Sequence, residues 1–141
     1  MFEEFIRLGK VRKGDPDIAL SKSLVKMSRL QLRYADCKPI TGENASPTLV
    51  TYYEALREIC EAICAKDGFK VYSHEAFTFF LKENLHEDRI AESFDRLRKL
   101  RNGVNYYGEG VNREEAKAAS EEVKKIILEL KQKYLSDLEQ T

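Results

Sequence analysis

The stretch IAESFDRLRKLRNGVNYYGEG, Ile90 to Gly110, decides how the rest of the chain is read. Ile90, Phe94 and Leu97 recur at steps of four and three, the spacing that lines one face of an α-helix. The series predicts a long helix that begins after Leu85 and reaches at least Asn102. Its next inward position is residue 101, with Val104 following, and residue 101 is an arginine. An arginine on an apolar stripe pairs inside the core, snorkels its head to water, or lines a cleft or interface where an anion can meet it. Gly103 in this pattern costs about 1 kcal/mol against alanine if helical, so it either ends the helix or lets another backbone come close.

Outward from this helix the same periodicity repeats. Asp15-Pro16 supplies a cap and a first-turn proline ahead of Leu20, Leu24, Met27, Leu30 and Tyr34, predicting a helix from about Pro16 to Ala35. After the turn-rich CKPITGENAS, Ser46-Pro47 gives a second start signal before Leu49, Tyr53, Leu56, Cys60 and Ile63, and Asp67-Gly68 closes that helix. Ser73 can cap a short aromatic helix, HEAFTFFLKEN. Asn112 with Glu115 resembles a capping box and starts a final helix carrying Ala116, Ala119, Val123, Ile126, Leu130 and Tyr134. FKVYS, Phe69 to Ser73, has strand character but no evident partner, and reads as a connector. The expected fold is an all-α, up-and-down bundle of four long helices and one short helix, in a single domain spanning residues 1–141.

Twenty-four basic and twenty-four acidic side chains cancel, which removes the global electrostatic footprint of a dedicated nucleic-acid binder. Two local basic patches remain, Arg7 to Lys13 and Arg96 to Arg101. Cys37, Cys60 and Cys64 lack the second pair or nearby histidine of a zinc tetrad and read as small buried thiols, so neither metal nor cofactor is expected. The chain has no apolar run of about 18 residues and no signal-peptide pattern at its start, which reads as a cytoplasmic protein without a membrane span.

The candidate site gathers around Arg101. Asn105 lies one turn beyond it and Asn102 pairs with Tyr106 one turn on, so Arg98, Arg101, Asn102 and Asn105 can form a polar row able to hold a phosphate or a base edge. Tyr106 and Tyr107 place aromatic surface beside these cations, a pairing used to stack single-stranded bases. Arg96 and Lys99 read as solvated charge, and His74 and His86 as exposed residues at helix starts. The acidic residues Glu83, Glu87, Asp88, Glu92 and Asp95 read as a solvated face that could pair with the Arg96 to Arg101 cations of a neighbouring subunit.

Arg101-Asn102 near the end of the penultimate long helix, followed by tyrosine and another helix, resembles the HEPN superfamily, the higher-eukaryote and prokaryote nucleotide-binding domains. The resemblance implies a four- or five-helix bundle that commonly dimerises. Many members are metal-independent ribonucleases, often toxins paired with a small nucleotidyltransferase. Their motif is Arg, a polar residue, then His after four to six intervening residues. Arg101 and Asn102 match its first two elements, but Tyr106, Tyr107 and Gly108 stand where the histidine would fall. Imidazole, at about 6.5, can accept or donate a proton near neutrality, whereas a phenol near about 10 is a donor only.

The resemblance therefore implies a catalytically degenerate nucleotide- or RNA-binding module. It would be a homodimer with the Arg101 helix near its two-fold, acting with a nucleotidyltransferase in a toxin-antitoxin or defence setting. One alternative is a divergent metal-independent ribonuclease using Arg101, Asn102 and Tyr106. Another is a structural dimerisation module in which Arg101 forms a buried pair.

Overall fold

The computed structural model describes residues 1–138, and it begins with elements too short for periodicity to reveal. Helix α1 (Phe2–Arg7) buries Phe2 and Phe5, and strand β1 (Val11–Lys13) follows. Helix α2 covers Ile18–Asp36, α3 Ala45–Lys66, and strand β2 Phe69–Val71. β1 and β2 pair antiparallel, Val11 opposite Val71, Arg12 opposite Lys70 and Lys13 opposite Phe69. This corrects the reading of Phe69 to Ser73 as a connector without a partner. Its partner lies inside the first basic patch, where Val11 turns inward while Arg12 and Lys13 stay exposed. Three residues cannot display a readable alternation. Gly14 N–H donates to the Gly68 carbonyl at 2.7 Å to close the ribbon. Gly68 has φ +89°, and a Cβ there would stand 2.4 Å from the Gly14 carbonyl oxygen, so no other residue fits without moving the backbone.

The chain continues through α4 (His74–Phe79), a π-helical turn (Phe80–Asn84), α5 (Asp88–Tyr107), α6 (Arg113–Tyr134) and a 3₁₀ turn (Ser136–Leu138). The cap of α2 is Asp17 rather than Asp15, its carboxylate accepting from Leu20 N–H at 3.0 Å. Asn44 precedes α3, so Ser46-Pro47 falls within the first turn rather than ahead of it. The expected capping box is present, with Asn112 accepting from Glu115 N–H at 2.8 Å and Glu115 accepting from Asn112 N–H at 3.2 Å.

Polar contacts show the helix directions. Ser21 and Ser28 on α2 each donate at 2.7 Å, to the carbonyls of Ala62 and Ala55, so α2 and α3 run antiparallel. Arg89 meets Glu129 at 3.1 Å and Arg96 meets Glu122, so α5 and α6 do the same. α3 lies at the centre, packed against α2, α4, α5, α6 and β2. Cys60 and Cys64 are fully buried on it, and burial pushes the Cys60 thiol up to about 12 and Cys64 up as well. Cys37, by contrast, is exposed.

One helix face departs from the sequence pattern. α2 turns Ser21, Leu24, Val25, Ser28 and Ala35 to the core, leaving Leu20, Met27, Leu30 and Tyr34 37, 46, 44 and 66% exposed. Small side chains and two serine bonds to α3 carbonyls hold these helices together, so the large apolar residues do not mark the buried face. No helix among the described residues is long and apolar enough to cross a membrane.

Candidate functional site

Tyr53, fully buried on α3, is where α4 and α5 converge. Its ring lies 5.7 Å from Phe94 of α5 and 5.9 Å from His74 of α4, and its hydroxyl is 3.0 Å from His74 Nδ1. The Arg101 guanidinium lies 5.5 Å from the same ring and 5.7 Å from the Tyr106 ring. Arg101 thus occupies the inward position that the apolar spacing assigns it, with a head held between two aromatic rings.

Its hydrogen bonds are weaker than a guanidinium can make. Nη1 donates to Asn102 Oδ1 at 3.2 Å and to the Tyr106 hydroxyl at 3.3 Å, while Nη2 reaches Glu54 Oε1 at 3.5 Å. Nε is buried with no hydrogen-bond partner among the described residues. Charge-assisted pairs normally close to about 2.8 Å. Glu54 binds more tightly elsewhere, its other oxygen taking Arg57 Nε at 3.0 Å, and Arg57 extends to Glu61 at 3.2 Å. Those carboxylates outweigh burial and raise the Arg57 pKa.

The other site candidates divide. Arg98 does not join Arg101 but folds along its own helix onto Asp95 at 2.8 and 3.1 Å. Burial would raise the Asp95 pKa, yet bonds from Arg98, Lys99 and Thr78 together hold it below the ordinary range. Tyr106 bends its hydroxyl back to Arg101 while its ring stays exposed, whereas Asn105 and Tyr107 are exposed away from that contact. Arg101, Asn102 and Tyr106 are therefore brought together; Arg98, Asn105 and Tyr107 are not. The acidic residues expected to meet a neighbouring subunit's cations include Asp95, which instead pairs with Arg98 and Lys99 of its own helix. Arg96 and Lys99 are exposed as expected, and Arg96 also pairs with Glu122 of α6.

Gly103 neither ends α5 nor admits another backbone. The helix runs through it to Tyr107, and Gly108, left-handed at φ +65°, sends its N–H and that of Glu109 back to the Gly103 carbonyl. The Glu109 carboxylate then lies over Gly103, 2.7 Å from where a Cβ would stand.

Two groups escape sequence reasoning. His74, read as an exposed helix-start residue, is half-buried against Tyr53, while His86 is exposed as expected. Burial first, then the positive charges of Arg57, Arg101 and Arg98, lower the His74 pKa against a smaller opposing pull from Glu54. Its signal was spacing, since His74, Phe77 and Leu81 share the three-and-four step of an inward face, and the His74 and Phe77 rings stand 6.2 Å apart. Glu58, one turn from Glu54 on α3, is 6% exposed with Oε1 unpartnered, and burial pushes its carboxyl up to about 7. An acidic residue in a run of glutamates carries no sequence mark of burial.

The site is an aromatic-walled corner around Arg101 with a histidine at its back. Among the described residues no three or more histidine, cysteine or acidic side chains converge to hold a metal ion. No protein-family model, curated protein or solved structure matches this chain.

Proposed function

We propose that the protein binds the phosphate of a nucleotide or RNA at Arg101, as an HEPN-like module that does not cleave what it binds. The observation that carries this is the Arg101 head, half-buried between Tyr53 and Tyr106, with one buried nitrogen unpartnered and only a 3.5 Å contact to Glu54. A phosphate offering bonds of about 2.8 Å would displace Glu54, which keeps Arg57 as its partner. Asn102 adds a neutral hydrogen-bonding group, and the exposed Tyr106 ring offers a face on which a base can stack. The homodimer around α5, the nucleotidyltransferase partner and the toxin-antitoxin or defence setting belong to this proposal through the resemblance of LRNGVNYYG alone.

A second reading, RNA cleavage, is favoured by His74. A depressed pKa keeps its imidazole neutral near pH 7 and able to take a proton, which Tyr106 is not suited to do. The experiment is incubation of the purified protein with single-stranded and structured RNA in EDTA, alongside nucleotide titration. The expected result is binding without cleavage, weakened at least about tenfold by Arg101→Ala. Cleavage abolished by His74→Gln but not by Tyr106→Phe would replace this proposal with the ribonuclease. Absence of both affinity and cleavage would leave Arg101 as a structural group in a dimerisation module.

A further inference from the structure

The exposed apolar residues of α2 are spaced as a helix-docking seam. Leu20, Met27, Leu30 and Tyr34, with the polar Ser23 between them and Cys37 at the cap just past the helix, alternate by three and four, the a and d positions of a heptad repeat, and all six are exposed. From Leu20 to Tyr34 the seam runs about 21 Å at 1.5 Å per residue. Ser21, Leu24, Val25, Ser28 and Ala35 occupy a different face, committed to the core against α3, so the seam has no partner within the described residues. Each end opens beside a cavity between α2 and neighbouring elements. One, of about 160 Å³, includes Leu20, Ala65 and Phe69; the other, of about 130 Å³, includes Tyr34, Pro47 and Thr51.

Within α2, charge beside the seam lies along one edge only. Lys26 and Arg33 occupy the g positions beside the seam, with Lys22 and Arg29 behind them, and all four are exposed. None makes an ion pair among the described residues, although most of the remaining arginines and several lysines do. On this helix the four cations face a single carboxylate, Asp36, which Lys124 and Tyr52 already occupy. In a chain whose total charge is zero, this is an uncompensated basic strip.

We infer that α2 is a docking surface for an acidic amphipathic helix of another protein, whose apolar residues cover the Leu20 to Tyr34 seam and whose carboxylates meet Lys26 and Arg33. Residues at g choose partners in such pairings by charge. A second copy of this chain fits poorly. Antiparallel, it would set Lys26 and Arg33 against the same cations; parallel, it would offer them only Leu24 and Gln31 at the e positions of the helix, with no carboxylate to meet. RNA would satisfy the cations but leave Leu20, Met27 and Leu30 without an apolar partner. A helix lying on a lipid surface exposes its polar side to water, whereas the side of α2 facing away from the seam is largely packed on α3. The inference rests on α2 alone and does not depend on the Arg101 site.

The test uses the full chain and two fluorescent synthetic helices of about 21 residues, both with leucine at a and d, one with glutamate and one with lysine at e and g. Anisotropy titration should show the glutamate peptide binding at least about tenfold tighter than the lysine peptide, and more weakly in about 0.5 M salt. Met27→Asp and, independently, Leu30→Asp should each weaken it at least about tenfold with the circular dichroism spectrum unchanged. Lys26→Glu with Arg33→Glu should reverse the preference towards the lysine peptide. Arg101→Ala should leave it unaltered, which separates this surface from the proposed phosphate site. Equal affinity for the two peptides, binding of neither, or indifference to Met27→Asp and Leu30→Asp would overturn the inference. So would a dimer dissolved by Met27→Asp, or recruitment to phosphatidylserine vesicles or RNA in preference to the glutamate peptide.

Discussion

Arg101 and Arg33 are both arginines on long helices, and the protein uses them in opposite ways. At the crossing of α3, α4 and α5, every arginine is drawn into a network, with Arg57 held by Glu54 and Glu61, Arg98 by Asp95, and Arg101 by Glu54, Asn102 and Tyr106. On the outer face of α2, Lys22, Lys26, Arg29 and Arg33 are exposed and make no ion pair among the described residues. Position relative to the core, not residue type, decides which cations are spent on structure. The crossing is preorganised, with few groups to spare; the α2 face offers both charge and apolar area.

The largest test of that contrast compares two tyrosines. Tyr53 is fully buried and supports Phe94, His74 and Arg101 at once, so Tyr53→Ala should cost about 3–5 kcal/mol, the range for losing a buried aromatic. Tyr34 is 66% exposed, and Tyr34→Ala should change stability by no more than about 0.5 kcal/mol. Urea denaturation of both variants measures the difference. Equal losses would mean that α2 is covered in solution by something that buries Tyr34.

The two tyrosines also show what the sequence could and could not convey. Both sit on three-and-four series, yet one series is core and the other is surface. Periodicity identifies a helix and its stripes but not which stripe is covered, and on α2 the covered face is built from serine, alanine and single aliphatic residues. Where the inward face is richly apolar, as on α5 and α6, the spacing places Ile90, Phe94, Leu97, Ala116, Val123 and Leu130 correctly in the core. It also carries Arg101 to the site. The β ribbon and α1 were invisible because elements of three to six residues have no period to read. The spacing of His74 with Phe77 and Leu81 marked its inward face, but its partner Tyr53 lies on another helix, and no spacing along one helix reports a contact made across two.

Glu58 tests a third use of charge, neither ion-paired like Glu54 nor solvated like the α2 cations, with Gln31 of α2 as its hydrogen-bond partner. Burial holds its carboxyl near 7, against an ordinary value of 4.5, with Arg57 pulling down and Glu54 and Glu61 pushing up from the same helix, and the Gln31 bond from α2 pulling down. Between those values the folded protein keeps a proton that the unfolded chain has released. This contribution to stability is therefore complete below about 4.5, declines as pH rises towards 7, and levels off above it. Glu58→Gln should remove the decline, leaving the variant more stable by about 2 kcal/mol at about pH 8 and little changed at about pH 4. Lys26→Gln, on the exposed face, retains Glu58 and should retain the decline. Urea melts across this range read both, and a variant that is less stable at about pH 8 would show that the carboxylate has a partner worth keeping.

The smallest expected effect concerns the link between the crossing and its exposed aromatic residue. Gly103 holds α5 together through Tyr107 at the cost of a helical glycine, so alanine there should gain up to about 1 kcal/mol of helix propensity. What opposes it is the Glu109 carboxylate, 2.7 Å from the new methyl, but that is the end of an exposed, flexible side chain. Gly103→Ala should therefore stabilise the protein by about 0.5–1 kcal/mol in thermal melts, with Glu109 swinging outward. If it destabilises instead, Glu109 is held in place by contacts of its own. Paired with a nucleotide titration, the variant also asks whether the turn matters to the proposed phosphate site. Gly103 lies on the helix between Arg101 and Tyr106, so binding that persists while stability rises would show that Arg101, Asn102 and Tyr106 act through side chains carried on a rigid helix rather than through mobility at a glycine hinge.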